Sequence, residues 1–90
     1  MNPTIKAAIA KFAAEHPELR TKDGAAHKCR TISGEFCVAL HRAGIKEAVV
    51  DEMDVVDGVA HKAVRVGDLW IDWTARQYNP NAAFPLIEQD

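Results

Sequence analysis

The sequence predicts an α+β fold: two helices, then a three-stranded antiparallel β-meander, then an extended C-terminal tail. Three observations carry this. Apolar residues recur at helical spacing up to Gly44, and β-branched runs replace them from Val49 onward. Two-residue turn signals, Asp57-Gly58 and Gly67-Asp68, divide those runs. Ninety residues suit one domain covering 1–90.

Asn2-Pro3 opens the first helix, with Asn as N-cap and Pro at the first helical position. Ile5, Ala8, Ile9, Phe12 and Ala13 form its apolar stripe, and Pro17 ends it. From Glu18 to Lys28 the chain is polar, with Asp23-Gly24 as a turn signal. Ile32, Phe36, Cys37 and Leu40 mark the second helix, which Gly44 closes. Its start lies near Lys28 or later, with Thr31 as N-cap. Val49–Val56, Val59–Val66 and Leu69–Thr74 read as strands, joined by a type I′ turn at Asp57-Gly58 and a type II′ turn at Gly67-Asp68. The tail from Ala75 wraps as an extended segment, with Phe84, Leu86 and Ile87 sealing the core edge.

Composition narrows the function classes. Net charge is −2, with acidic and basic residues interspersed, so no basic stripe offers itself to nucleic acid. No run approaches the ~18 consecutive apolar residues of a membrane span, and Met1 to Glu15 lacks the pattern of a targeting segment. Cys29 and Cys37 are eight positions apart. Helix over that interval separates them by about 12 Å, beyond the ~7 Å that a disulfide spans. Two free thiols favour a reducing compartment, with the cytoplasm as default.

The turns also set a register. With Gly67-Asp68 as a two-residue loop, Val64 faces Ile71 and Ala63 faces Asp72, so His61 lies diagonally from Asp72 on one side of the sheet. Diagonal neighbours are ~7–8 Å apart at the backbone, within reach of two side chains. A carboxylate beside a histidine fixes the imidazole tautomer and stabilises the charged ring during proton transfer. The other turn supplies a competitor: Asp54 falls directly opposite His61, and geometry alone slightly prefers it. A bulge would remove either pairing. Cys29 falls at the start of the second helix, where unpaired N–H groups and about half a positive charge favour a thiolate. A backbone N–H there also suits half of an oxyanion hole. Cys37, beside Phe36 and Leu40, reads as a structural thiol.

These residues resemble a known family. Cys29-Arg-Thr-Ile-Ser33-Gly-Glu-Phe36, running to Leu40-His-Arg-Ala-Gly44, resembles the nucleophile helix of papain-like and transglutaminase-like proteins. His61-Lys-Ala-Val-Arg-Val66 is similar to their histidine strand, and Leu69-Trp-Ile-Asp72-Trp-Thr74 to their acid strand. Ala75-Arg76-Gln77-Tyr78 is similar to segments of small bacterial and phage papain-fold proteins. The resemblance implies Cys29 as nucleophile, His61 as general base and acid, and Asp72 rather than Asp54 as the orienting carboxylate. It implies a peptide or protein substrate, no cofactor, and a peptidase, deamidase or transglutaminase-like reaction. His27 stands where family members often have glycine, Trp73 where proline is common, and no glutamine precedes Cys29 as a second oxyanion donor.

Plainer roles compete at each position. The plainer reading makes His61 a strand residue hydrogen-bonded to Asp54, and Asp72 a residue holding the turn into the tail. Arg65 opposite Trp70 reads as a surface cation–π pair. Gln77 and Arg76 tie the tail to the sheet, with binding roles for Gln77 and Trp70 as the minority reading. His16 and His41 read as solvent-facing helix residues. Cys37 and His41, spaced i, i+4, would need His27, Cys29 and His61 to complete a zinc site, and the closely spaced cysteine pairs of such sites are absent. No metal is expected. A noncatalytic papain-fold module that binds a partner protein is the rival class.

Overall fold

A computed structural model of the chain describes residues 1–56 and 59–89, and no side chain between 54 and 60. The turn expected at Asp57-Gly58 and the side chain of Asp54 lie outside the described residues.

Asn2 opens α1 (Pro3–Glu15) as expected: its Oδ1 accepts from the Thr4 N–H at 2.7 Å and the Ile5 N–H at 3.4 Å. Ile5 and Phe12, two turns apart, are the buried residues of its inner face. The stretch expected to be a polar loop instead forms a 3₁₀ turn, Pro17–Arg20, and a short helix α2, Lys22–Ala25. Among the described residues the α-helices therefore number three, not two. Four residues are too few to display an apolar period, which is why the pattern did not reveal α2. Its marks are local. Thr21 Oγ1 caps it by accepting the Gly24 N–H at 3.0 Å, and Leu19 and Ala25 are buried. Gly24 is obligatory, because a Cβ there would stand 1.8 Å from the Glu18 carbonyl oxygen.

Helix α3 spans Cys29–Arg42 with Lys28 as N-cap, so it takes the earlier of the two starts. It ends where expected. Gly44 adopts φ 98°, its N–H donates to the His41 carbonyl at 3.0 Å and that of Ile45 to Leu40 at 2.9 Å. This is a Schellman closure, which favours glycine at that position.

The sheet has four antiparallel strands in the order β1-β2-β3-β4. Strands β1 (Val49–Val56) and β2 (Val59–Val66) match the expected bounds. Strand β3 (Leu69–Asp72) stops two residues early, and β4 (Leu86–Gln89) corrects the count of three. The tail is thus not simply extended: a 3₁₀ turn, Ala75–Gln77, leads round to β4, which pairs Ile87 with Ile71 and Leu86 with Asp72. Gly67 has φ 60° without a matching positive φ at Asp68, in keeping with a type II′ turn.

Helix α3 covers one face of the sheet, where Val64 and Ile71 are fully buried. Trp73, just past β3, centres the core. Its ring meets Phe12 at 4.8 Å, Phe36 at 5.1 Å and Phe84 at 5.4 Å, each edge-on or tilted. Truncating one such ring typically costs about 3–5 kcal/mol. Phe84 packs on the core as expected, but Ile87 is exposed and seals nothing. Among the described residues no helix is long and apolar enough to cross a membrane.

Candidate functional site

The site begins with the β2–β3 register, which is the expected one: Val64 pairs with Ile71 and Val66 with Leu69. It places His61 and Asp72 on the face away from Val64. His61 Nε2 and Asp72 Oδ2 are 2.7 Å apart, with 3% and 4% of the two residues exposed. Asp72 is His61's carboxylate. The competitor fails on register, because Met53, not Asp54, is the partner of His61, while Val56 partners Val59. Between those pairs β1 has two residues and β2 one, and this bulge shifts Asp54 out of line.

The hydrogen bonds around the pair fix its protonation pattern. Asp72 Oδ1 accepts the Thr74 N–H at 3.0 Å, so both carboxylate oxygens are used. The carboxylate can only accept, so Nε2 of His61 carries the ring proton and Nδ1 is left as an acceptor. Gln77 Nε2 donates to Nδ1 at 3.3 Å, and Gln77 Oε1 accepts the backbone N–H of His27 at 3.2 Å. One polar chain therefore runs from Thr74 through Asp72, His61 and Gln77 to the residue two before Cys29. Tyr78 meets the His61 ring edge-on at 5.2 Å between centroids. Gln77 reads from sequence as a tie between tail and sheet. Its link from His61 to the His27 backbone was not legible, because the 3₁₀ turn that aims it has no periodic signal.

Cys29 is the first residue of α3, half-buried and outside any disulfide. Among the described residues no hydrogen bond joins it to His61. Helix α3 lies on the Val64 face while His61 projects from the other, and Gln77 bridges the His61 ring to the His27 backbone. His27 adopts φ 60°. That left-handed region favours glycine.

A cavity of about 330 Å³ opens on the outer face over the pair, lined by Met53, His61, Asp72, Ala75, Tyr78 and Leu86. A wider groove between α1 and α3, bordered by Ala8, Phe12 and Ala39, holds none of these polar residues. The smaller cavity holds the buried His61–Asp72 pair, whereas the wider groove carries Lys11, Glu15 and Arg42, and Cys29 lines neither. Trp70 pairs with Arg65 across the strands, the guanidinium 5.8 Å from the ring centre, and is not among the cavity residues. Arg76 ties the tail, donating to the Ala82 carbonyl and to the Arg20 carbonyl, each at 2.9 Å.

The other cysteine and histidine meet at the far end of α3. His41 Nε2 lies 2.7 Å from the Ala48 carbonyl oxygen, Cys37 Sγ 3.3 Å from the same oxygen, and the two side chains are 3.7 Å apart. His41 is thus bonded to the backbone and not merely solvent-facing. Burial pushes the Cys37 thiol above its ordinary value. Among the described residues no three His, Cys, Asp or Glu are placed to hold a metal ion.

Comparison of the chain with protein-family models, with curated proteins and with solved structures finds no match.

Proposed function

We propose that the chain is a cysteine-dependent hydrolase or acyltransferase in which Cys29 is the nucleophile, His61 the base and Asp72 its orienting carboxylate. One observation supports this above the others. Asp72 holds Nε2 of the buried imidazole, which leaves Nδ1 as the accepting nitrogen, and Nδ1 is joined through a single side chain to the backbone just before Cys29. An oriented imidazole with an accepting nitrogen and a half-buried thiol at a helix start are two of the groups that nucleophilic catalysis needs.

In this mechanism His61 Nδ1 takes the Cys29 proton as sulfur attacks an amide or ester carbonyl and the S–C bond forms. His61 then gives that proton to the leaving nitrogen or oxygen as its bond to carbon breaks. Asp72 stabilises the imidazolium throughout. Water, deprotonated by His61, cleaves the thioester; an amine acceptor would give transfer instead. The substrate class is peptide or protein amides. The test is trapping: an activated ester should release its alcohol in a burst and leave an acyl group on Cys29, seen by peptide mass spectrometry. Cys29→Ala should abolish both. Acylation absent from Cys29, or equal on Cys37, contradicts the proposal.

A second reading has its own support. Gln77 occupies Nδ1, and Cys29 has no hydrogen bond to His61 among the described residues. In that reading the polar chain is a structural clasp in a papain-fold module that binds a partner protein. The clasp predicts loss of stability, without change in thiol reactivity, when His61 is removed.

A further inference from the structure

We propose that Gln77 is a positioning residue that caps the base nitrogen of His61 and withholds it from Cys29. This rests on the reading of Cys29 and His61 as nucleophile and base. The neutral ring has one accepting lone pair, because Asp72 holds the other nitrogen as a donor. Gln77 occupies that lone pair. Cys29 can pass its proton to His61 only when Gln77 leaves.

The amide cannot simply turn over. Reversing it would set Oε1 against the Nδ1 lone pair and the NH₂ group against the His27 N–H, replacing two attractive contacts with two repulsive ones. Its second N–H points to Thr74 Oγ1 at 3.4 Å, which supports the same orientation. Both contacts of Gln77 Nε2 are at the long end of the hydrogen-bond range, so the cap is displaceable. Its anchor, His27, is two residues from Cys29 and held at φ 60°.

The experiment compares the wild type with Gln77→Leu and Gln77→Glu, each with and without His61→Ala. It reads the iodoacetamide labelling rate of Cys29 at pH 6 and the imidazole ¹⁵N resonances of His61. Gln77→Leu should shift the Nδ1 resonance and speed Cys29 labelling about three- to tenfold, the change expected from removing one hydrogen bond of ordinary net strength. The gain should vanish in the double variant with His61→Ala. Gln77→Glu offers Nδ1 no donor; its carboxylate can hold that nitrogen only by drawing a proton onto it, so the ring cannot take another from Cys29 and labelling should stay at or below the wild-type rate. An unmoved Nδ1 resonance, or unchanged labelling in Gln77→Leu, overturns the cap. Equal acceleration by Leu and Glu also overturns it, because loosening rather than uncapping would then be the cause. If Gln77→Leu fails to fold, Gln77→Glu decides alone, with faster labelling refuting the cap and an altered Nδ1 resonance without acceleration supporting it. Should His61→Ala leave labelling unchanged in every background, the nucleophile–base reading itself fails, a pattern distinct from failure of the cap alone.

Discussion

Two cysteine–histidine pairs can be compared along α3, Cys37 with His41 and Cys29 with His61, and they differ in what the histidine is bonded to. At the C-terminal end the contact is direct: Cys37 Sγ and His41 Nε2 are 3.7 Å apart. Yet Nε2 also faces the Ala48 carbonyl at 2.7 Å, which requires a donor there and denies the thiol an acceptor. At the N-terminal end no bond links Cys29 to His61 among the described residues, but Asp72 holds Nε2 and leaves Nδ1 to accept. Proximity of thiol and imidazole is thus the poorer guide. The third group decides which ring nitrogen can take a proton.

That contrast can be broken in several ways, beginning with the largest effect. Asp72→Ala leaves a buried imidazole N–H without its carboxylate acceptor and should lower stability by about 2–3 kcal/mol in denaturant unfolding. His41→Ala removes only one contact to a carbonyl at an exposed position and should cost nearer 1 kcal/mol. Equal losses would erase the distinction between the two ends.

The pH response of the two thiols should also differ. Burial raises the Cys37 thiol, so the folded state holds that proton more tightly than the unfolded chain. Its contribution is therefore fully present below the ordinary thiol range and is lost as pH rises from there through the raised folded-state value. Alkylation of Cys37 should lag that of Cys29 at pH 8 and catch up only as the fold opens. Comparable rates at pH 8 would contradict the burial argument. The smallest effect concerns the loop before Cys29. His27→Gly relieves a left-handed residue and should raise stability by about 1 kcal/mol. A loss of stability would mean that the His27 side chain holds the loop.

Much of this arrangement was legible in the residues, for reasons of short range. Asn2-Pro3 and Gly44 marked the ends of α1 and α3, and Gly67-Asp68 set a register that brought Asp72 to His61. The failures share a cause as well. Helix α2 is capped by Thr21 and too short for periodicity. Strand β4 is four residues behind Pro85, and no turn signal announces its pairing with β3. The bulge that moves Asp54 off His61 adds one residue without a marker in composition. Gln77 shows the limit most clearly, since its partners are set by where a 3₁₀ turn and a loop 50 positions away happen to meet.

The most direct test of the central claim is the rate at which iodoacetamide labels Cys29 at pH 6, resolved from Cys37 by mass spectrometry, in the wild type and in His61→Ala. An ordinary thiol, with its midpoint near ~8.5, is almost wholly protonated there. The nucleophile–base account predicts measurable labelling of wild-type Cys29 and a loss of about tenfold or more in His61→Ala. Equal, slow labelling in both proteins would contradict it and leave the Asp72–His61–Gln77 chain as a structural clasp.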